Sequence, residues 1–152
     1  MDRRGRPRGV LAANDSLAGG VNDVLKQRRL NGKVAVAGQD TTVEGQRNVL
    51  TGDQCMTVYR AVDQEAQVAA KLAIELSRGR LPSPRSLGLP TGTALSQIKD
   101  PESGAYLPFV ALPALVITRN TMQEVLTHGF VSSSDLCAGE PYAKLCRRYG
   151  IR

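Results

Sequence analysis

Val10-Leu11-Ala12-Ala13-Asn14-Asp15-Ser16 and Lys33-Val34-Ala35-Val36-Ala37-Gly38-Gln39-Asp40 share one pattern: a short apolar run that stops at amides and carboxylates. Residues of this kind favour helix N-termini, so each run reads as a strand feeding a helix. After the first run, Leu17, Val21, Val24 and Leu25 recur at helical spacing with Asn22, Asp23, Lys26 and Gln27 between them, and Asn31-Gly32 ends the helix. After the second, Thr41 with Glu44 three residues on has the capping-box pattern, predicting a helix to about Leu50. Gly19 and Gly20 cost helix propensity and so point to close backbone packing or a ligand.

Working outward, Thr51-Gly52-Asp53 turns the chain and Cys55-Met56-Thr57-Val58-Tyr59 reads as a third strand. A helix over 63–78 follows, with Ala66, Ala69, Ala70, Leu72, Ala73 and Leu76 within it and Gly79 as its stop. Strand and helix alternating at this spacing imply an α/β fold with a parallel sheet and crossover helices. From 80 to 106 the pattern dissolves into Pro, Gly and Ser, an irregular connection. Val110–Ile117 reads as a last strand interrupted by Pro113, at an edge or bulge. Asn120, with Gln123 three residues on, predicts a capped helix ending near His128, a residue favoured by the dipole at a helix C-terminus. The polar tail over 130–152 holds one more helix near 140–149.

Composition narrows the classes. Apolar residues make up 41% and charged residues 22% of 152, the proportions of a globular chain long enough to bury most of its surface. No apolar run approaches the roughly 18 residues of a membrane-spanning helix. The net charge of +6 lies in the tails: residues 1–8 carry +3 and 144–152 carry +4, leaving −1 over 9–143. A phosphate-binding face needs its cations clustered on folded surface, so nucleic acid is not the expected partner. The basic start lacks the apolar stretch of a signal peptide.

Enzyme motifs are missing. Gly32-Lys33 is followed by Val34, unlike a phosphate-binding loop; there is neither GxGxxG nor GxSxG; and His128 is the lone histidine. No cofactor or metal is implied. Cys55 reads as a buried small hydrophobe. Cys137 and Cys146 read either as a disulfide stapling the tail or as two unrelated thiols. In an open parallel sheet, ligands bind beyond the carboxyl ends of the strands. There the three strands deliver Asn14 and Asp15, Gln39 and Asp40, and Arg60. Adjacent sugar hydroxyls, each donor and acceptor at once, call for that mixture of amide, carboxylate and guanidinium. The plainer reading makes Asn14 and Asp40 caps of the following helices.

At these residues a resemblance emerges. Residues 13–20, 32–40 and Met56-Thr57-Val58-Tyr59-Arg60 resemble the C-terminal half of D-xylose-binding proteins, the extracytoplasmic receptors of ABC sugar importers, within the periplasmic binding protein family. The resemblance runs over 10–152 and leaves 1–9 as an unmatched basic leader. It implies a parallel-sheet type I fold, incomplete, holding parts of both lobes, with the 63–78 helix in the other lobe from 10–50. It also implies sugar contacts from Asn14, Asp40 and position 60, where Arg60 stands in place of the family's lysine. The tail from Gly129 to Cys146 resembles members in which Cys137 and Cys146 form a disulfide.

The implied function is binding of a xylose-like monosaccharide for delivery to an ABC permease, outside the cytoplasm, by closure of two lobes, without catalysis. A truncated chain holding half of the site is expected to have lost that activity on its own, which micromolar sugar binding would refute, and to self-associate through incomplete sheets. Two rivals stand beside it: the effector-binding half of a sugar-responsive repressor, and a gene fragment without function. Three free thiols would fit the repressor; one would fit the receptor.

Overall fold

Asn14 opens the first helix as its side chain dictates. Its backbone is extended and its Oδ1 accepts from the Leu17 amide at 2.9 Å. In the computed structural model, which describes residues 8–152, this helix, α1 (Asp15–Gln27), follows strand β1 (Gly9–Leu11). Residues 1–7 of the basic leader lie outside the described residues. Ala18, Asn22 and Leu25 form the buried stripe of α1. Strand β2 (Ala35–Ala37) pairs with β1 in parallel, Val10 opposite Val36. Helix α2 (Val43–Thr51) starts one residue later than the capping pattern predicts: Thr42 is the cap, accepting from the Gly45 amide at 3.0 Å. A parallel bridge from Ala37 to Met56 leads to β3 (Thr57–Arg60), and α3 (Val62–Ser77) follows.

The chain then departs from the irregular connection expected over 80–106. A short helix, α4 (Pro84–Leu87), is opened by a Ser83–Ser86 capping box and closed by Gly88. Strands β4 (Leu95–Lys99) and β5 (Tyr106–Val110) form an antiparallel hairpin with Ile98 opposite Leu107. Asp100 builds its turn, its carboxylate accepting from the Glu102 and Ser103 amides. The single strand expected over 110–117 is two strands in different sheets, because the segment around Pro113 separates β5 from β6 (Ala114–Ile117), which neighbours β3. Helices α5 (Met122–Thr127), α6 (Ser133–Leu136) and α7 (Tyr142–Arg148) complete the chain. Asn120 does not cap α5. Thr121 occupies that position, and its hydroxyl instead closes the preceding turn, donating to Val116 O and accepting from the Thr118 amide.

Two units result. The first runs through Tyr59 and resumes at Leu115; the second is Arg60–Ala114. The first unit holds the core. Ala18, Leu25, Val34 and Val36 cluster between α1 and the β1–β2 pair, and Val49, Leu50, Ile117, Met122, Val125 and Leu136 of the same unit are also buried. Arg47 ties α6 to α2, donating to the carbonyls of Asp135, Leu136 and Ala138 while stacking on the Tyr142 ring. A disulfide joins Cys137 to Cys146 across the α6–α7 connection. In the second unit, α3 packs on α4, and its apolar side chains Ile74 and Leu76 remain nearly half exposed.

Candidate ligand site

Beyond the carboxyl ends of β1 and β2, the structure brings two of the proposed sugar contacts onto one rim. The Asp15 amide donates to Gln39 O at 2.8 Å, so the residue after Asn14 is bonded to the residue before Asp40. Both side chains are half-buried. Asn14 caps α1 through Oδ1, and its Nδ2 donor makes no hydrogen bond among the described residues. The capping reading and the ligand reading are therefore compatible for Asn14, since they use different atoms. Asp40 is not a cap, because Thr42 takes that place.

Asp40 is held in an unusual backbone. Its φ is 88° and that of Thr41 is 55°, both in the left-handed region that side chains with a Cβ rarely enter. Four bonds fix the pair. The Asp40 amide donates to Val58 O and the Thr41 amide to Thr57 Oγ1, while Thr41 O accepts from Gln46 Nε2 and the Thr42 amide donates to Asp15 Oδ2. Thr41 and Thr57 are fully buried.

Asp15, delivered beside Asn14 by the first strand, faces inward. It is 2% exposed and accepts from Thr42 through one oxygen and from Gln54 Nε2 at 2.9 Å through the other. Gly38 and Gly45 make room for it: a Cβ at either position would collide with its carboxylate. The close packing expected at Gly19 and Gly20 belongs to these two glycines instead, since a Cβ at Gly19 or Gly20 would meet nothing within 4 Å. Sequence reasoning missed Gln54, Gly38 and Gly45. The available signal was Gly38, directly after β2; nothing local marks Gly45, in the first turn of α2.

Arg60 is the last residue of β3 and the first of the second unit, where its guanidinium pairs with Glu65 at 3.7 Å. Its neighbour Tyr59, buried in the first unit, stacks on His128 at 5.3 Å and meets Phe130 edge-on at 5.9 Å. His128 is the residue that closes α5. Cys55, expected in the core, is exposed. Just ahead of β3, its amide donates to Val36 O of β2, and its thiol rests on the same oxygen at the edge of an open hollow lined by Gly32, Gly52 and Arg119. Among the described residues, no group of three or more His, Cys, Asp or Glu converges as a metal site would.

Comparison with known proteins agrees with this architecture. Over 128 residues the chain is 33% identical to the D-xylose-binding periplasmic protein of Escherichia coli, matching 84% of this chain and 35% of that protein. Over 69 residues it is 41% identical to the D-xylose-binding periplasmic protein of Haemophilus influenzae, matching 45% of this chain and 21% of that one. The chain thus spans about a third or less of the length of these relatives. A crystal structure of a carbohydrate transporter solute-binding protein from Chloroflexus aurantiacus, in complex with D-glucose, superposes with a TM-score of 0.64. It is 24% identical, the match covers 84% of this chain and 34% of that one, and the likeness establishes the fold. The family model described as periplasmic binding protein domain matches residues 3–81, more than half of the sequence, and the chain belongs to that family.

Proposed function

We propose that this chain carries part of a monosaccharide site of the D-xylose type, serving the substrate-binding component of an ABC sugar importer outside the cytoplasm. The observation that supports this reading is the backbone bond from the Asp15 amide to Gln39 O, which brings the segments carrying Asn14 and Asp40 together beyond the carboxyl ends of β1 and β2. Vicinal hydroxyls of a sugar need a donor and an acceptor side by side. Arg60 is the third proposed contact, and its planar fork favours a pair of oxygens where a lysine would offer a point charge. The names of the relatives support the sugar class. The disulfide supports an oxidising compartment and disfavours a cytosolic repressor. No helix among the described residues is long and apolar enough to cross a membrane. The proposed role is binding, without chemistry on the sugar.

Net hydrogen bonds are worth about 0.5–1.5 kcal/mol each, and millimolar affinity takes about 4 kcal/mol. The three proposed contacts therefore give millimolar affinity at best. Titrating the ¹⁵N-labelled chain with D-xylose should shift the Asn14 side-chain amide and the Asp40 and Thr41 backbone amides along one saturating curve. Shifts elsewhere, or none up to about a hundred times that concentration, overturn the reading. Thiol counting on the native protein tests the compartment. One reactive thiol, Cys55, is expected; three would favour the repressor.

A further inference from the structure

The structure assigns Asp15 as the positioning residue of the candidate sugar site: it holds Asp40 and Thr41 in their left-handed backbone and so aims the Asp40 carboxylate. The assignment of a sugar to that carboxylate rests on the function proposed above; the positioning itself does not. Among the described residues, three non-glycine residues have positive φ, and two of them are Asp40 and Thr41. A β-branched residue such as Thr41 persists there only when its surroundings over-determine it.

Asp15 grips both flanks of the pair. Its amide donates to Gln39 O at 2.8 Å, one residue before Asp40. Its Oδ2 accepts from the Thr42 amide at 2.9 Å, one residue after Thr41. The loop is thus clamped at 39 and 42 by a single residue, and the two residues between must close the gap through an unfavourable conformation. The clamp is itself braced. Gln54 Nε2 fixes Oδ1 at 2.9 Å while also donating to Met56 O, which ties the carboxylate to the approach to β3. Gly38 and Gly45 leave the space it fills. The carboxylate also lies in the first turn of α1 and against the first turn of α2, where the partial positive charge of both helix ends favours an anion.

Asp15→Asn tests this assignment. Asparagine has one acceptor oxygen where Asp15 uses two, and its NH₂ must confront a donor, either Thr42 N–H or Gln54 N–H. Residue-resolved hydrogen exchange, measured without sugar, should then speed up at the Asp40 and Thr41 amides by about tenfold or more. Neither amide bonds to Asp15, so the effect is transmitted through the loop. Exchange at Val36 and Leu50, in the core of the same unit, should stay as it is.

Equal acceleration at all four positions would mean that Asp15 only stabilises the unit, and unchanged rates at Asp40 and Thr41 would mean that the loop holds itself; either overturns the assignment. Should the variant fail to fold, Gln54→Leu removes the brace and leaves the clamp atoms in place, and the same two amides should accelerate by about threefold. No change there also overturns it. A wild-type chain that ignores D-xylose sinks the sugar reading and leaves this comparison intact.

Discussion

Asp53 shows how a single carboxylate links two helices of the first unit. It is 8% exposed; Lys26 from the last turn of α1 reaches its Oδ2 at 3.1 Å, Asn31 donates to Oδ1, and Thr51 at the end of α2 donates to Oδ2. Burial alone would raise its pKa, but the bonds from Asn31, Lys26 and Thr51, with the charge of Lys26, together hold it below its ordinary value. A carboxyl depressed in the folded state binds its proton more readily when unfolded. Its stabilisation is therefore present above the unfolded pKa and is lost as pH falls through the folded one. Asp53→Asn should lower the unfolding midpoint at neutral pH, and the gap from wild type should close in acid below the usual carboxylate range. A gap independent of pH would show that the charge contributes nothing.

Helices α1 and α2 each hold one of two opposite kinds of glycine. Gly20 is exposed in the helix interior and a Cβ there meets nothing within 4 Å, so Gly20→Ala should stabilise the protein by about 0.5–1 kcal/mol. Gly45 on α2 faces the Asp15 carboxylate, and Gly45→Ala should destabilise by about 1–3 kcal/mol as overpacking does. Denaturant midpoints of the two variants should move in opposite directions; movement in the same direction would refute the packing account. From sequence the two glycines look alike, because the atom that distinguishes them comes from 30 residues away. The same limit explains what was and was not legible. Strands and helices from 9 to 77 follow local capping and periodicity, so their order was readable and their ends moved little. The β4–β5 hairpin was hidden because Pro and Gly around it resemble a loop, and its pairing signal, Ile98 against Leu107, is non-local. Asn14 and Asp40 were legible as strand-end residues; the bonds that fix Asp40 come from residues 15, 57 and 58, and only folding brings these together.

At the scale of the whole chain, stability is distributed unevenly between the two units. Of the buried hydrophobic side chains among the described residues, Val68 and Leu87 alone belong to Arg60–Ala114. That unit instead exposes Ile98, Leu107 and Phe109 on its hairpin, and two strands by themselves are marginal in water. The first unit has most of the buried apolar side chains, the Arg47 tie and the disulfide, which closes a loop short enough to contribute about 2–3 kcal/mol by the chain-entropy estimate. Cooperative protection follows buried apolar contact, so the two units should open at different free energies. In native-state hydrogen exchange at low denaturant, the β4–β5 amides should exchange through a small, denaturant-insensitive opening. The Val49 and Leu50 amides of α2 should exchange only with global unfolding. Reducing the disulfide should bring the α2 amides toward the hairpin and leave the hairpin where it was. Were all amides to converge on one isotherm before reduction, the second unit would draw its stability from contacts beyond its own two buried side chains, and the uneven distribution would be disproved.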